Sequence, residues 1–166
     1  MLKTLKFLAI ILALGLVLPA HGIIPVKNAT AKDWNRLSFW YAPWGKSGVH
    51  KGIDIFAKLG TPVISSTSGL VIYTGHIEMG GNVVVVLGPK WRIYYYSHLD
   101  GIHIKTFDWA TSGKGIGTVG DSGNAAGKPP HLHYSVMSLV PYPWKLSAQT
   151  QGWKKMFFMN PAESFG

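Results

Sequence analysis

Short apolar runs separated by glycine and proline dominate the chain between His50 and Met137. They are rich in β-branched and aromatic residues, which is typical of strands, and none repeats with the 3.6-residue period of an amphipathic helix. Six runs are predicted to be strands: residues 62–66, 70–76, 82–87, 92–98, 116–119 and 132–136. Met79-Gly80-Gly81-Asn82 predicts a hairpin turn between two of them. We therefore predict an all-β, mainly antiparallel fold, a compact single-domain β-sandwich with irregular termini.

The first twenty residues have a different pattern. Lys3 and Lys6 form a positively charged start, and residues 7–18 are an almost unbroken apolar run. This run of about a dozen residues is short for a helix that spans a bilayer and suits the core of a signal peptide. We predict that residues 1–20 are a signal peptide, with an uncleaved membrane anchor as the alternative. The protein would then be exported to the periplasm, the cell envelope or the exterior.

The rest of the chain divides into three parts by the same criteria. Residues 21–46 combine tryptophan, proline and glycine without periodicity and are predicted to be an aromatic lead-in that packs on the fold. Residues 47–140 contain the strand pattern and form the domain core. Residues 141–166 contain three prolines. They are predicted to be a mostly irregular tail packed on the domain, with a helical turn around residues 153–158.

Composition limits the partners and the chemistry. Hydrophobic residues make up 47% of the chain and charged residues 14%, which excludes a disordered chain. The formal net charge is +9, but the basic residues are scattered singly, so we expect no nucleic-acid partner. We expect a monomer. The chain has no cysteine, so a metal site must use His, Asp and Glu.

Two short motifs place metal-binding side chains together. If His50-Lys51-Gly52-Ile53-Asp54 is extended, His50 and Asp54 lie on one face with glycine leaving space between them. In His131-Leu132-His133, the two imidazoles likewise point to one side of a strand. Zinc prefers nitrogen ligands with one carboxylate in such sites. Either motif alone is weak evidence, and by spacing both His131 and His133 could reach one metal.

A third histidine ends an aromatic strand. In residues 94–99, alternation places Tyr94, Tyr96 and His98 on one face. An aromatic strand closed by a structural histidine is the alternative for this segment when it is considered alone. The presence of three histidine motifs in one short region favours a metal-dependent site.

The order and spacing of several motifs in residues 49–134 resemble the lysostaphin-type zinc endopeptidases. The matching stretches are His50-x-Gly52-Ile53-Asp54, Gly60-Thr61-Pro62-Val63, Gly69-Leu70-Val71, Gly81-Asn82-Val83-Val84-Val85, Tyr96-Ser97-His98-Leu99, Gly117-x-x-Gly120-x-Ser122-Gly123 and Pro130-His131-Leu132-His133-Tyr134. This resemblance covers about half of the chain. It implies the duplicated β-hybrid fold of that family for residues 47–140, as a zinc peptidase domain core.

The resemblance also implies roles for individual residues. His50, Asp54 and His133 would bind one Zn²⁺ per chain, and His98 and His131 would form the catalytic pair. The implied activity is hydrolysis of peptide bonds in bacterial peptidoglycan, in stem peptides, cross-links or bridges, through a metal-activated water. Inactive relatives that bind the wall or activate an amidase are the alternative. Such relatives usually lack one or more of the five residues, all of which are present here.

Two residues are candidate substrate contacts, and a third residue departs from the family pattern. Tyr96 would line the groove, with core packing as the alternative. For Asn82 a role in the hairpin is favoured, with a contact to the substrate as the alternative. An acidic residue often follows the aromatic residue after the His-x-His pair in the family, but this chain has Ser135 there. This departure affects the shape of the groove and the specificity.

Overall fold

The computed structural model describes residues 2–165, so Met1 and Gly166, the outermost residues of the predicted leader and tail, lie outside the described residues. The described elements are α1 (Leu2–Val17), β1 (Ile53–Phe56), β2 (Pro62–Ile64), β3 (Gly69–Ile77), β4 (Gly81–Gly88), β5 (Arg92–Ile102), β6 (Trp109–Ala110), β7 (Gly115–Val119), β8 (His131–Ser138) and β9 (Phe158–Met159). Short 3-10 helices lie at Gly45–Ser47, Pro89–Trp91, Gly123–Ala125, Pro143–Lys145, Gly152–Met156 and Pro161–Glu163.

The strands form one antiparallel sheet. Its main path has the order β1-β8-β5-β4-β3-β6. The long strand β5 changes partner along its length: its first half pairs with β8 and its second half pairs with β7, which in turn pairs with β2. The prediction of a mainly antiparallel all-β fold is therefore confirmed.

The strands lie where the apolar runs predicted them. Each of the six predicted runs overlaps one of β2, β3, β4, β5, β7 and β8. The β3–β4 ladder extends to the pair Ile77↔Gly81, which confirms the hairpin turn. The sequence treated β1 only as a possible extended segment of the first histidine motif. It did not predict β6 and β9, because each has two residues and is too short for an alternating pattern. The 3-10 helix Gly152–Met156 lies where the helical turn was expected.

Strands β1 and β8 separate the core from the site. Residues directly opposite each other in an antiparallel pair lie on the same side of the sheet. The pairs Ile53↔Tyr134 and Ile55↔Leu132 are 0% exposed and lie in the core. The alternate pairs Asp54↔His133 and Phe56↔His131 must then face the other side. Core packing on one face therefore fixes the polar side chains on the other.

The segments that flank the strand region complete the core. Val26 of the lead-in forms a bridge with Val63, and Trp34 and Trp40 are buried. In the tail, β9 pairs with β8, and the ring of Phe165 packs edge-on against Trp34 at 5.5 Å. Both segments cover apolar surface that the sheet alone would leave exposed to water.

Helix α1 lies at the start of the chain and exposes many of its apolar side chains. Its one hydrogen bond to the domain among the described contacts joins Trp91 Nε1–H to the carbonyl oxygen of Leu12, at 2.9 Å. Over residues 2–165, no helix has both the length and the apolar character needed to cross a bilayer. The signal-peptide or anchor role of residues 1–20 remains a prediction.

Candidate active site

Three side chains bring one ligand atom each to a common point. His50 Nε2 lies 3.1 Å from Asp54 Oδ1, His133 Nδ1 lies 2.8 Å from the same oxygen, and the two nitrogens are 3.1 Å apart. His50 precedes β1, Asp54 lies on β1, and His133 lies opposite Asp54 on β8. The side chain of His50 is 1% exposed, whereas those of Asp54 and His133 are 15% and 20% exposed. The cluster is therefore open to solvent on one side only.

Hydrogen bonds on the far side of each imidazole determine what the cluster can hold. His50 Nδ1–H donates to the carbonyl oxygen of Ser38 at 3.0 Å, and His133 Nε2–H donates to Ser135 Oγ at 3.1 Å. In these neutral forms, both inward nitrogens carry lone pairs that face the carboxylate of Asp54. Three acceptor atoms that converge without a proton between them fit a cation. Two imidazoles and one carboxylate are a typical zinc set.

The charge states of Asp54 and His133 also fit a metal site. Burial would raise the pKa of Asp54, but the close contacts with the imidazoles of His133 and His50 outweigh it and hold that pKa well below its usual range. Burial lowers the pKa of His133 and thereby favours its neutral imidazole, although Asp54 opposes this effect. At pH 7 an ionised Asp54 carboxylate therefore faces the neutral imidazole of His133.

Gly52 provides the space that the cluster needs. A Cβ at this position would lie 2.4 Å from the carbonyl oxygen of Tyr134, 2.5 Å from Ser135 Oγ and 3.0 Å from His133 Cε1. These distances are below van der Waals contact, so any side chain would displace the β8 backbone together with the hydroxyl or the ring. The glycine between the two ligand-bearing positions is therefore required by close approach, as the sequence motif suggested.

His98 and His131 form a second pair beside the cluster. Their ring centroids are 5.1 Å apart, and the ring of His98 is 6.0 Å from that of His133. His98 Nδ1–H donates to the carbonyl oxygen of Ser122 at 2.9 Å, and His131 Nδ1–H donates to that of Pro129 at 2.8 Å. Within residues 2–165, neither Nε2 atom has a hydrogen-bond partner. Both rings therefore present a free proton acceptor.

The environment of His98 favours its neutral form. Burial, followed by repulsion from His133 and His131, lowers the pKa of His98 to about 4. At pH 7 this imidazole is therefore uncharged, and Nε2 carries a lone pair.

A bulge in β5 turns His98 toward the site. The β4–β5 register runs from Asn82↔Leu99 to Val84↔Tyr96, which leaves one extra residue on β5. His98 has a φ of +63°, in the left-handed region. The prediction that Tyr94, Tyr96 and His98 share one face is therefore wrong, because it assumed an unbroken alternation. The extra residue brings His98 to the side of His131 and His133.

Comparison with known proteins identifies the family. Residues 48–143 match peptidase family M23. The chain belongs to this family. The resemblance to the lysostaphin-type endopeptidases is thereby confirmed.

Two relatives illustrate the range of the M23 family. The chain is 37% identical over 128 residues to the L-Ala–D-Glu endopeptidase of Bacillus subtilis, a match that covers 67% of this chain and 39% of the relative. It is 33% identical over 111 residues to the peptidoglycan DD-endopeptidase ShyC of Vibrio cholerae, covering 63% of this chain and 25% of the relative. The M23 chain thus matches well under half of the length of each relative.

Two solved structures have a similar fold. The catalytic domain of the antimicrobial peptidase lysostaphin from Staphylococcus simulans has a TM-score of 0.62 and 24% identity, covering 82% of this chain and 97% of that domain. A zinc-containing peptidase from Vibrio cholerae has a TM-score of 0.58 and 27% identity, covering 71% of this chain and 36% of that protein. The sheet described above is therefore the M23 fold.

Tyr96 and Asn82, the two candidate substrate contacts, both have structural roles in the M23 chain. Tyr96 is 0% exposed, and its hydroxyl accepts from the backbone N–H of Ser66 at 2.9 Å. The expectation that Tyr96 lines a groove is wrong, because its ring packs in the core against Tyr134. Asn82 Nδ2 donates to the carbonyl oxygens of Leu99 and Asp100, each at 3.1 Å. Both amide hydrogens of Asn82 are thus used in bonds to the β5 backbone across the bulge, which favours a structural role for Asn82 over a contact with the substrate.

The sequence did not single out two aromatic residues at the site. The ring of Trp44 stacks on that of His50 with centroids 4.2 Å apart, and the ring of Phe56 lies 5.3 Å from that of His131. Phe56 follows Asp54 by two positions, so alternation could have placed it on the site face. No pattern identifies Trp44, because its position depends on the fold of an aperiodic loop.

Proposed function

We propose that this chain is an exported, zinc-dependent endopeptidase that hydrolyses peptide bonds in bacterial peptidoglycan. The observation that supports this function most strongly is the convergence of His50 Nε2, Asp54 Oδ1 and His133 Nδ1 within 3.1 Å, beside two imidazoles with free nitrogens. Membership of an M23 peptidase family supports the reaction class. The names of the two relatives, an L-Ala–D-Glu endopeptidase and a peptidoglycan DD-endopeptidase, support the substrate class.

His50, Asp54 and His133 would hold the zinc ion. Two neutral imidazoles and one carboxylate leave a bound Zn²⁺ with a net charge of about +1 and an open coordination position. Zinc there would supply Lewis-acid chemistry, acidifying a water molecule and polarising the scissile carbonyl. The zinc-containing peptidase among the solved structures supports the choice of metal.

His98 and His131 would move the proton. In hydrolysis, water adds to the carbonyl carbon and the C–N bond breaks, so one proton must travel from the water to the leaving amine. The free Nε2 of one imidazole accepts that proton and then delivers it to the amine nitrogen. The other imidazole, in its protonated form, can donate to the developing oxyanion. The Nδ1–H bonds to the carbonyls of Ser122 and Pro129 keep both rings in the required orientation.

Digestion of purified peptidoglycan tests the function. Mass spectrometry of the soluble products should show muropeptides with newly formed amino and carboxyl termini. A chelator should stop the reaction, added Zn²⁺ should restore it, and the H133A variant should be inactive with or without zinc. A zinc-loaded wild-type protein that binds peptidoglycan without cleaving it would contradict the proposal and favour the non-catalytic alternative.

We further propose that residues 1–20 direct export, which would bring the enzyme to its substrate in the envelope as a monomer. Cell fractionation of a reporter fused after Ala20 tests this step. The reporter should be found outside the cytoplasm, and a fusion that lacks residues 1–20 should stay inside. Equal cytoplasmic retention of both fusions would contradict the proposal.

A further inference from the structure

Ser135 lies behind the metal cluster, where the sequence departs from the family pattern. We infer that Ser135 is a positioning residue, which holds His133 in the one tautomer that can bind a metal through Nδ1. This inference rests on the proposed zinc site. It concerns a residue that contacts neither the substrate nor the metal and acts through His133.

The direction of the hydrogen bonds follows from the chemistry of the partners. Ser135 Oγ lies 2.8 Å from the carbonyl oxygen of Lys51 and 3.1 Å from His133 Nε2. A hydroxyl has one hydrogen, and a carbonyl oxygen can only accept, so the hydroxyl donates to Lys51. Ser135 Oγ can then only accept from His133, so it stabilises the tautomer that carries the ring proton on Nε2. His133 Nδ1 is left with a lone pair directed at the cluster.

The geometry leaves little freedom for another arrangement. Ser135 is only 7% exposed. Its hydroxyl lies close against Gly52, since a Cβ there would come within 2.5 Å of Oγ. Lys51 belongs to the segment that carries the ligands His50 and Asp54. The hydroxyl therefore joins the two ligand-bearing segments while it fixes the proton of the third ligand.

A carboxylate could not replace both bonds. An acidic side chain at this position could accept from His133, but an ionised carboxylate cannot donate to the carbonyl of Lys51. A hydroxyl satisfies both partners at once. Metal-binding histidines commonly donate their second N–H to such a partner, and loss of the partner weakens metal affinity by roughly 10- to 100-fold.

Removing the hydroxyl should change the tautomer of His133. In the S135A variant, Nε2–H has no acceptor, whereas a proton on Nδ1 could donate to Asp54 Oδ1 at 2.8 Å. The share of rings with the proton on Nδ1, where zinc must displace it, should therefore rise. Long-range ¹H–¹⁵N spectra of the metal-free protein at neutral pH report the population of each tautomer directly. We expect a larger Nδ1–H population in S135A than in the wild type.

A matched control lies on the same strand. Ser138 is 1% exposed, and its hydroxyl also donates to a backbone carbonyl, that of Val140 at 2.7 Å, but it touches no member of the site. Zinc affinity is measured by competition with a chromogenic chelator, after circular dichroism and thermal unfolding have established that each variant folds. We expect S135A to bind zinc roughly 10- to 100-fold more weakly than wild type and S138A to bind it equally well.

Each outcome of these measurements is decisive. An unchanged tautomer and unchanged zinc affinity in S135A would overturn the inference and leave the zinc site intact. Equal losses in S135A and S138A would also overturn it, because they would reflect the strand and not the hydrogen bond. A wild-type protein that binds no zinc would overturn the proposed function and with it the role of Ser135 toward a metal.

Discussion

Each of the four histidines at the site donates one ring N–H outward to an oxygen of the fold. The acceptors are the carbonyls of Ser38, Ser122 and Pro129 and the hydroxyl of Ser135. Because a neutral imidazole has one N–H and one lone pair, the outward bond determines the inward chemistry. Four lone pairs therefore point inward, two at the carboxylate of Asp54 and two from His98 and His131. Under the proposed function, this division separates metal binding from proton transfer.

Replacing His98 should affect turnover but not metal binding. The H98N variant removes the imidazole and keeps a residue that tolerates the φ of +63° found at this position. Loss of a general acid–base or oxyanion group typically lowers the rate by roughly 10²- to 10⁴-fold. We expect kcat/KM on a muropeptide substrate to fall within this range while the zinc content stays at one ion per chain. Loss of zinc from H98N would instead make His98 a metal ligand.

Gly52 should be intolerant of even the smallest side chain. A Cβ there collides with the carbonyl oxygen of Tyr134 and with Ser135 Oγ, on either side of His133 in β8, so G52A should displace His133 and weaken zinc binding at least about tenfold. The control is G115A, because a Cβ at Gly115 meets nothing within 4 Å. Chelator competition compares the two variants. Equal affinities would show that the site can adjust to the added methyl group.

At the scale of elements, β8 has two functions on its two faces. His131, His133 and Ser135 form one side of the site, while Leu132 and Tyr134 are fully buried in the core. The core face fixes the orientation of the strand, and the orientation of the strand sets the positions of the histidines. Destabilising the core face should therefore lower stability without removing a ligand.

The L132A variant tests this coupling. Leu132 is 0% exposed, and truncating a buried leucine to alanine typically costs about 2–5 kcal/mol of unfolding free energy. Urea unfolding of the metal-free protein should show a loss of this size. The half-buried Met137 on the same strand provides the comparison, and M137A should lose less. A loss below about 1 kcal/mol in L132A would contradict the core position of this side chain.

Alternation along strands predicted part of the site and failed where the strand is irregular. It placed His50 with Asp54 and His131 with His133, because those short segments are regular and one face of each is apolar. It misplaced His98, since the extra residue of the β5 bulge leaves no mark in the side-chain pattern. It also could not select His133 over His131 as the ligand. That choice depends on pairing between β1 and β8, which are distant in sequence.

At the scale of the whole molecule, the lead-in (residues 21–46) and the tail (residues 141–166) support the site. The lead-in supplies the Ser38 carbonyl and the ring of Trp44, which stacks on His50. The tail in turn holds the loop that follows Trp44, since Gln151 Nε2 donates to the carbonyl oxygen of Ser47 at 2.9 Å. The aperiodic lead-in thus borders the site, and the tail holds the adjoining loop in place. Tertiary contacts of this kind cannot be read from local patterns.

The stability of the metal-free protein should fall as the pH is lowered. The pKa of His98 is about 4 in the folded protein against an ordinary value of 6.5. The unfolded chain therefore binds more protons between these values, and stability decreases as the pH falls from 6.5 to 4. The lowered pKa of His133 acts in the same direction. The depressed pKa of Asp54 adds a further loss below its ordinary value of 3.8.

Thermal unfolding between pH 7.5 and 4.5 measures this dependence. The wild-type Tm should decrease on acidification, and H98N should show a smaller decrease because it lacks one of the titrating groups. A Tm that rises on acidification would contradict the buried, neutral state of the histidines. Identical slopes for wild type and H98N would show that His98 does not contribute.

The most direct test of the proposed zinc site is anomalous X-ray scattering at the zinc absorption edge from crystals of the wild-type protein. We predict one anomalous peak per chain, bound by His50 Nε2, Asp54 Oδ1 and His133 Nδ1, with His98 and His131 nearby but not bound to the metal. A peak bound through His131 in place of His133, or no zinc between these three atoms in crystals grown with Zn²⁺, would contradict the account.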